Sequence, residues 1–124
     1  MTRVYIADAL TKERSALRLL LLDLNMEVVG EAGDWLTTIA NAPATGLDML
    51  VMDWTLLPMQ TGPESLVNLR TLCPQEMVVV MLSNANAHQQ TVRATGGDIF
   101  INKGELPEHV AERLQWAAAI EPFG

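Results

Sequence analysis

Four polar residues of this chain each follow a short apolar segment, and together their side chains could carry out phosphoryl chemistry. They are Asp8, Asp53, Ser83 and Lys103. A carboxylate can act as a nucleophile toward phosphorus, and an ammonium group can pair with phosphoryl oxygens. A single aspartate after a strand is usually a helix cap or a turn residue, so the inference depends on the four residues meeting. If they meet, the set favours phosphoryl transfer to Asp53, with Lys103 countering the charge of the phosphoryl group.

The segments that precede these residues are predicted to be parallel strands. The predicted strands cover residues 4–7, 27–32, 47–52, 77–82 and 98–101. Near-continuous apolar runs are typical of strands that are covered by helices on both faces. The carboxyl ends of parallel strands lie at one edge of the sheet, where ligands bind in folds of this type. The pattern therefore predicts that the four polar side chains share one edge.

Amphipathic segments alternate with these strands. Leu17, Leu20, Leu21 and Leu24 have the spacing that places four leucines on one face of a helix. Further helices are predicted over residues 36–40, after Gly62-Pro63, over 87–95 and from Pro107 onward. Five strand-helix units in succession predict an α/β fold with three layers, an open five-stranded parallel sheet with helices on both faces.

The composition excludes several classes of function. The 124 residues include 15 acidic and 8 basic ones, and the net charge of −7 has the wrong sign for direct binding of nucleic acid. Cys73 is the only cysteine, which excludes an internal disulfide and favours a reducing compartment. No apolar run approaches the ~20 residues of a membrane-spanning helix. We therefore expect a cytoplasmic protein with no membrane partner.

The segments around these residues resemble the receiver domains of two-component response regulators, over nearly the whole chain. The matching segments are Ile6-Ala7-Asp8, Val28-Val29-Gly30-Glu31-Ala32, Leu50-Val51-Met52-Asp53-Trp54, Leu57-Pro58 with Gly62, Met81-Leu82-Ser83, and Phe100-Ile101-Asn102-Lys103-Gly104 followed by Pro107-Glu108. The second and the last of these look most like receivers that usually precede a LuxR-type helix-turn-helix. The resemblance implies a flavodoxin-like sheet with the strand order 2-1-3-4-5.

The resemblance also implies a role for each residue that binds the phosphoryl group or the metal. Asp53 would be the phosphoacceptor, Ser83 would hydrogen-bond one phosphoryl oxygen and Lys103 would pair with another. Magnesium would be held by Asp8, Asp53 and the backbone carbonyl of Thr55.

Phe100 matches the family's switch aromatic, whose rotamer changes on phosphorylation. Plain core packing is an equally good explanation of a phenylalanine at this position. The readout surface that the family uses would combine the helix over 87–95, the fifth strand and the last helix.

Two departures from the family's pattern affect the expected metal site. The family usually has two adjacent acids after the first strand, whereas this chain has Asp8-Ala9. Because hard cations are held by the number and geometry of carboxylates, the loss of one acid predicts weaker magnesium binding. The chain also has one extra residue between Asp53 and Pro58, which leaves the carbonyl ligand and the course of the loop open.

Two functions follow from this reading. The first is a phosphoacceptor receiver domain over residues 1–120, with residues 121–124 as a C-terminal tail. It would take a phosphoryl group from a sensor histidine kinase and switch an output, such as a DNA-binding domain outside this chain or a homodimer. It would be a signalling domain rather than an enzyme, although it would promote its own phosphorylation and dephosphorylation. The alternative is a pseudo-receiver that acts as an interaction or dimerisation module without phosphate.

Overall fold

A computed structural model describes residues 1–58, 64–84 and 96–120. Its strands are β1 (Arg3–Ala7), β2 (Glu27–Ala32), β3 (Met49–Asp53), β4 (Val78–Ser83) and β5 (Ile99–Asn102). Its α-helices are α1 (Thr11–Asp23), α2 (Trp35–Asn41), α3 (Glu64–Leu72) and α4 (Pro107–Ala119). Short 3-10 helices cover Ala42–Thr45 and Trp54–Leu56. The dipeptide Gly62-Pro63 before the third predicted helix, the helix predicted over 87–95 and the tail predicted over 121–124 lie outside the described residues.

The five strands form one parallel sheet in the order β2-β1-β3-β4-β5. This confirms the predicted sheet and the strand order that the resemblance implied. The central strand β3 is buried along its whole length, which explains why its sequence is almost entirely apolar. Asp53 is the last residue of this strand. The fold therefore places this carboxylate at the carboxyl edge of the sheet.

Helices cover both faces of the sheet, as predicted. On one face, Leu17 and Leu21 of α1 and Leu114 of α4 belong to one buried apolar cluster with alternate residues of the strands. On the other face, Leu66 and Leu69 of α3 belong to a second cluster, to which α2 adds partly buried side chains. Because successive side chains of a strand point to opposite faces, each strand contributes to both clusters. The structure therefore has the three layers that the alternation predicted.

Within the described ranges, the helices are too short and too polar to cross a membrane.

An ion pair fixes the start of β5, the strand that leads to Lys103. The guanidinium of Arg70 in α3 lies 3.0 Å from Oδ2 of Asp98, whose side chain is fully buried. The same Asp98 oxygen accepts a hydrogen bond of 2.7 Å from the backbone N–H of Val79. Arg70 also donates to the backbone carbonyls of Met77 and Gly96. These bonds tie α3, β4 and the segment before β5 together.

Gly30 in β2 is required by a close approach of the buried Tyr5 ring. A Cβ at position 30 would lie 2.6 Å from Cε2 of Tyr5, closer than a carbon contact permits. We expect Gly30→Ala to lower the free energy of unfolding by about 1–3 kcal/mol, because the ring must shift in a packed core. Urea denaturation measures the loss. Gly33→Ala is the matched control, because its Cβ would come no closer than 3.2 Å to Nη1 of Arg14 and 3.9 Å to the Asp8 carbonyl, so only a small shift is needed. Equal losses in the two variants would contradict this explanation.

Candidate functional site

The structure brings Asp8, Asp53 and Lys103 into direct contact at the carboxyl edge of the sheet. Nζ of Lys103 lies 2.8 Å from Oδ2 of Asp8 and 2.5 Å from Oδ2 of Asp53. Both aspartates are buried, and the Lys103 side chain is only 8% exposed. The predicted meeting of these three residues is confirmed. Two carboxylates and one ammonium leave a formal charge of −1 among them.

Ser83 lies at the same edge of the sheet and is hydrogen-bonded to Lys103 through their backbones. It is the last residue of β4, its side chain is buried, and it pairs with Asn102 in the register of β4 and β5. Its carbonyl accepts a hydrogen bond of 2.7 Å from the backbone N–H of Lys103. Ser83 and Lys103 are therefore neighbours at the ends of adjacent strands, as predicted.

Thr55 holds the Asp53 carboxylate from the other side. Oδ1 of Asp53 accepts a hydrogen bond of 2.9 Å from the Thr55 backbone N–H and one of 2.7 Å from the Thr55 hydroxyl. Asp53 thereby caps the short 3-10 helix Trp54–Leu56. Sequence reasoning assigned only the Thr55 carbonyl and missed both of these bonds. The sequence did contain a signal for the backbone bond, since an aspartate side chain commonly accepts a hydrogen bond from the backbone N–H two residues later.

Asp8 is fixed by contacts that the sequence did not reveal. Its Oδ1 accepts a hydrogen bond of 2.9 Å from the backbone N–H of Leu10, while its backbone carbonyl accepts one of 2.5 Å from Arg14. Arg14 also pairs with Glu31 at 3.5 Å. Glu13 on α1 adds a further negative charge, with Oε2 4.0 Å from Nζ of Lys103. The site is thus surrounded by charged groups from α1 and β2.

Phe100 is buried in the apolar cluster that packs against α3, with 7% of its surface exposed. It lies in β5 beside Met81 of β4. Packing in this apolar cluster accounts for the buried position of the Phe100 side chain. The role of Phe100 as a switch stays a prediction.

The ion pair shifts the pKa values of both partners in opposite directions. Burial by itself raises the pKa of the Asp53 carboxyl, but hydrogen bonds from Lys103 and Thr55 outweigh it and hold the pKa below its ordinary value. Burial by itself lowers the pKa of the Lys103 ammonium, but its hydrogen bonds to Asp53 and Asp8 raise the pKa above its ordinary value. Both shifts favour the charged pair at neutral pH.

The lowered pKa of Asp53 predicts a loss of stability in acid. The folded-state pKa lies below the unfolded value of about 3.9, so this carboxylate stabilises the fold above that pH. The stabilisation is lost as the pH falls through the folded-state pKa. Urea midpoints measured from about pH 7 to about pH 3 should therefore fall more steeply in the parent chain than in Asp53→Asn. A difference in urea midpoint between the parent chain and Asp53→Asn that stays constant over this pH range would contradict the prediction.

The donor set fits a magnesium ion poorly. Magnesium prefers several oxygen ligands in near-ideal octahedral geometry. Here the two carboxylates each direct Oδ2 to Lys103 and Oδ1 to an N–H or O–H donor. In the part of the chain that the structure describes, no three histidine, cysteine, aspartate or glutamate side chains are arranged to hold a metal. A metal would have to displace Lys103 from at least one carboxylate.

Known structures share this fold over almost the whole chain. The isolated receiver domain of RcsB from Salmonella enterica serovar Typhimurium is 20% identical, with a TM-score of 0.81 over 98% of this chain and 91% of that one. This chain has the fold of a response-regulator receiver domain. The response regulator domain of Thermotoga maritima CheB is 25% identical, with a TM-score of 0.73 over 98% and 99% of the two chains. A LuxR-family response regulator from an Aurantimonas species is 21% identical, with a TM-score of 0.80 over 98% of this chain and 89% of that one.

No protein-family model and no curated protein sequence matches this chain. The receiver fold is therefore established by its three-dimensional structure. The receiver sheet accounts for the arrangement of the site, because Asp8, Asp53 and Ser83 follow or end adjacent parallel strands.

Proposed function

We propose that this chain is a phosphoacceptor receiver domain of a two-component signalling system, in which Asp53 accepts a phosphoryl group from a sensor histidine kinase. The observation that carries the proposal is the contact between Lys103 and Asp53 at 2.5 Å, at the carboxyl edge of a receiver sheet. A nucleophilic carboxylate beside a fixed cation is the arrangement that phosphoryl transfer requires.

The chemistry assigns different tasks to the two oxygens of Asp53. Oδ1 accepts two hydrogen bonds from Thr55, which occupy both of its lone pairs. Oδ2 faces Lys103 and is the oxygen that attacks phosphorus. The bond between phosphorus and the imidazole nitrogen of phosphohistidine breaks, its electron pair stays on that nitrogen, and an acyl phosphate forms on Asp53. Lys103 then pairs with an oxygen of the phosphoryl group beside it.

Ser83 and Phe100 would transmit the change. The Ser83 hydroxyl would donate a hydrogen bond to a phosphoryl oxygen, and its movement would be coupled to the Phe100 ring in the neighbouring strand. Magnesium would be held by Asp8, Asp53 and the Thr55 carbonyl, where it would screen the charge of the incoming phosphoryl group. Because Ala9 removes one carboxylate and Lys103 holds the other two, we expect this binding to be weak, and no step above depends on it.

The partners follow from the same proposal. They are a sensor histidine kinase and an output, either a DNA-binding domain outside this chain or a second copy of it, and the chain would act in the cytoplasm. A longer structure of the Salmonella typhimurium RcsB response regulator, which concerns DNA interaction, is matched by this chain over 61% of its length, at 20% identity and a TM-score of 0.80. The domain would be a phosphoacceptor that promotes its own phosphorylation and dephosphorylation, and not an enzyme acting on other substrates.

A second candidate function is a pseudo-receiver that binds its partner without phosphate. It is favoured by Ala9 and by the closed contact of Lys103 with both aspartates. The retention of Asp53 and Lys103 in contact favours the phosphoacceptor, since a site free to drift has no physical reason to keep a buried ion pair.

Intact-mass spectrometry with a small-molecule phosphodonor tests the proposal. The chain is incubated with the donor in the presence and in the absence of magnesium. We expect the mass of one phosphoryl group to be added, and fragmentation to place it on the peptide that contains Asp53. A folded chain that gains no phosphoryl group, either from this donor or from candidate histidine kinases, would favour the pseudo-receiver.

A further inference from the structure

Lys103 occupies a central position between two carboxylates. Its Nζ contacts Oδ2 of Asp8 at 2.8 Å and Oδ2 of Asp53 at 2.5 Å. Both carboxylate oxygens therefore face the position that the ammonium nitrogen occupies. The carboxylate of Glu13 faces the same ammonium at 4.0 Å. Three acidic groups thus converge on a single cation whose side chain is 8% exposed.

A divalent cation bound to both aspartates would need the space that the ammonium fills. Oxygen ligands lie about 2.0–2.1 Å from magnesium and about 2.3–2.6 Å from calcium. The two oxygens are already within 2.5 and 2.8 Å of Nζ, so a metal at that point requires only small shifts of the carboxylates. It also requires that Lys103 leave, because two cations this close repel strongly in a buried site.

We propose that the Lys103 ammonium is the resident cation of the Asp8 and Asp53 carboxylates, and that it competes with divalent metals for this position. The metal affinity of the chain is then limited by Lys103 as well as by Ala9. Removing Lys103 creates a site for a divalent cation. The inference deepens the proposed function. It rests on that function in one respect, which is that a metal at Asp53 would serve phosphoryl transfer.

Lys103→Met tests this competition. Methionine keeps an unbranched side chain and removes the charge, leaving the two aspartates to bind a metal. Magnesium chloride alone is titrated into the parent chain and the variant, followed by calorimetry and by the fluorescence of Trp54, which adjoins Asp53. We expect the variant to bind magnesium at least about tenfold more tightly than the parent, and calcium likewise.

Lys12→Met is the matched control. Lys12 is the other lysine of the chain and is exposed in the first turn of α1, so its replacement changes the net charge by the same amount without removing the ammonium that contacts the two aspartates. We expect its magnesium affinity to stay within about twofold of the parent value. An equal gain in both variants, or no gain in Lys103→Met, would overturn the proposal.

If Lys103→Met is unstable, the midpoint of thermal unfolding, measured with and without magnesium, provides a second test. A metal that binds only the folded state raises its stability, so magnesium should raise the midpoint of the variant or refold it, and leave that of the parent almost unchanged. A variant that stays unfolded at millimolar magnesium would overturn the proposal, since the metal would then fail to replace the ammonium. No phosphodonor is present, so failure of phosphorylation in the parent chain leaves these outcomes unaffected.

Discussion

An Asp53→Asn variant is expected to accept no phosphoryl group under conditions in which the parent chain accepts one. The amide oxygen of asparagine is a far weaker nucleophile than a carboxylate, and the variant also removes the charge that Lys103 faces at 2.5 Å. The rate of phosphoryl addition should fall by at least about a hundredfold, and intact-mass spectrometry at matched times measures it. The effect should be large because the variant removes the carboxylate that Lys103 and Thr55 orient.

The control for this variant is Asp23→Asn. Asp23 is an exposed aspartate at the end of α1, so it tests for general effects of losing one carboxylate. We expect phosphoryl addition to Asp23→Asn at the parental rate. Circular dichroism should show that both variants retain the parent's secondary structure. Phosphoryl addition to folded Asp53→Asn at the parental rate would place the acceptor at another residue and refute the assignment.

The second large effect is expected from Asp98→Ala, which should lower the free energy of unfolding by about 3–5 kcal/mol. The substitution leaves the guanidinium of Arg70, only 18% exposed, without its carboxylate partner. It also removes the acceptor of the Val79 backbone N–H. Breaking a buried ion pair from one side is costly because the remaining charge stays in a poorly solvated environment.

Urea denaturation of parent and variant measures this loss, with Asp23→Ala as the exposed control. We expect the control to change the free energy of unfolding by less than about 0.5 kcal/mol. A loss below about 1 kcal/mol in Asp98→Ala would mean that the ion pair adds little beyond its cost of desolvation. A large loss would show that the segment leading into β5, and hence the position of Lys103, depends on α3.

The sequence alone predicted the architecture, because burial on both faces leaves a visible pattern. A strand such as β3 must be apolar at every position that two layers of helices cover, and its apolar run ends where the chain reaches the edge of the sheet. Asp8, Asp53, Ser83 and Lys103 could therefore be assigned to one edge from their places after these runs. The helix with four spaced leucines was predictable for the same reason, although only Leu17 and Leu21 of the four are buried.

Only the tertiary structure decided how these residues bind one another. Lys103 lies 95 residues from Asp8 and 50 from Asp53, and nothing in the local sequence specifies that one ammonium contacts both carboxylates. The contacts of Arg14 with the Asp8 carbonyl and of Thr55 with Asp53 were likewise missed. Periodicity reports which side of an element is buried, whereas hydrogen-bond partners depend on rotamers chosen by packing across the fold. For this reason the sequence located the site, and only the fold showed that Lys103 already fills its cation position.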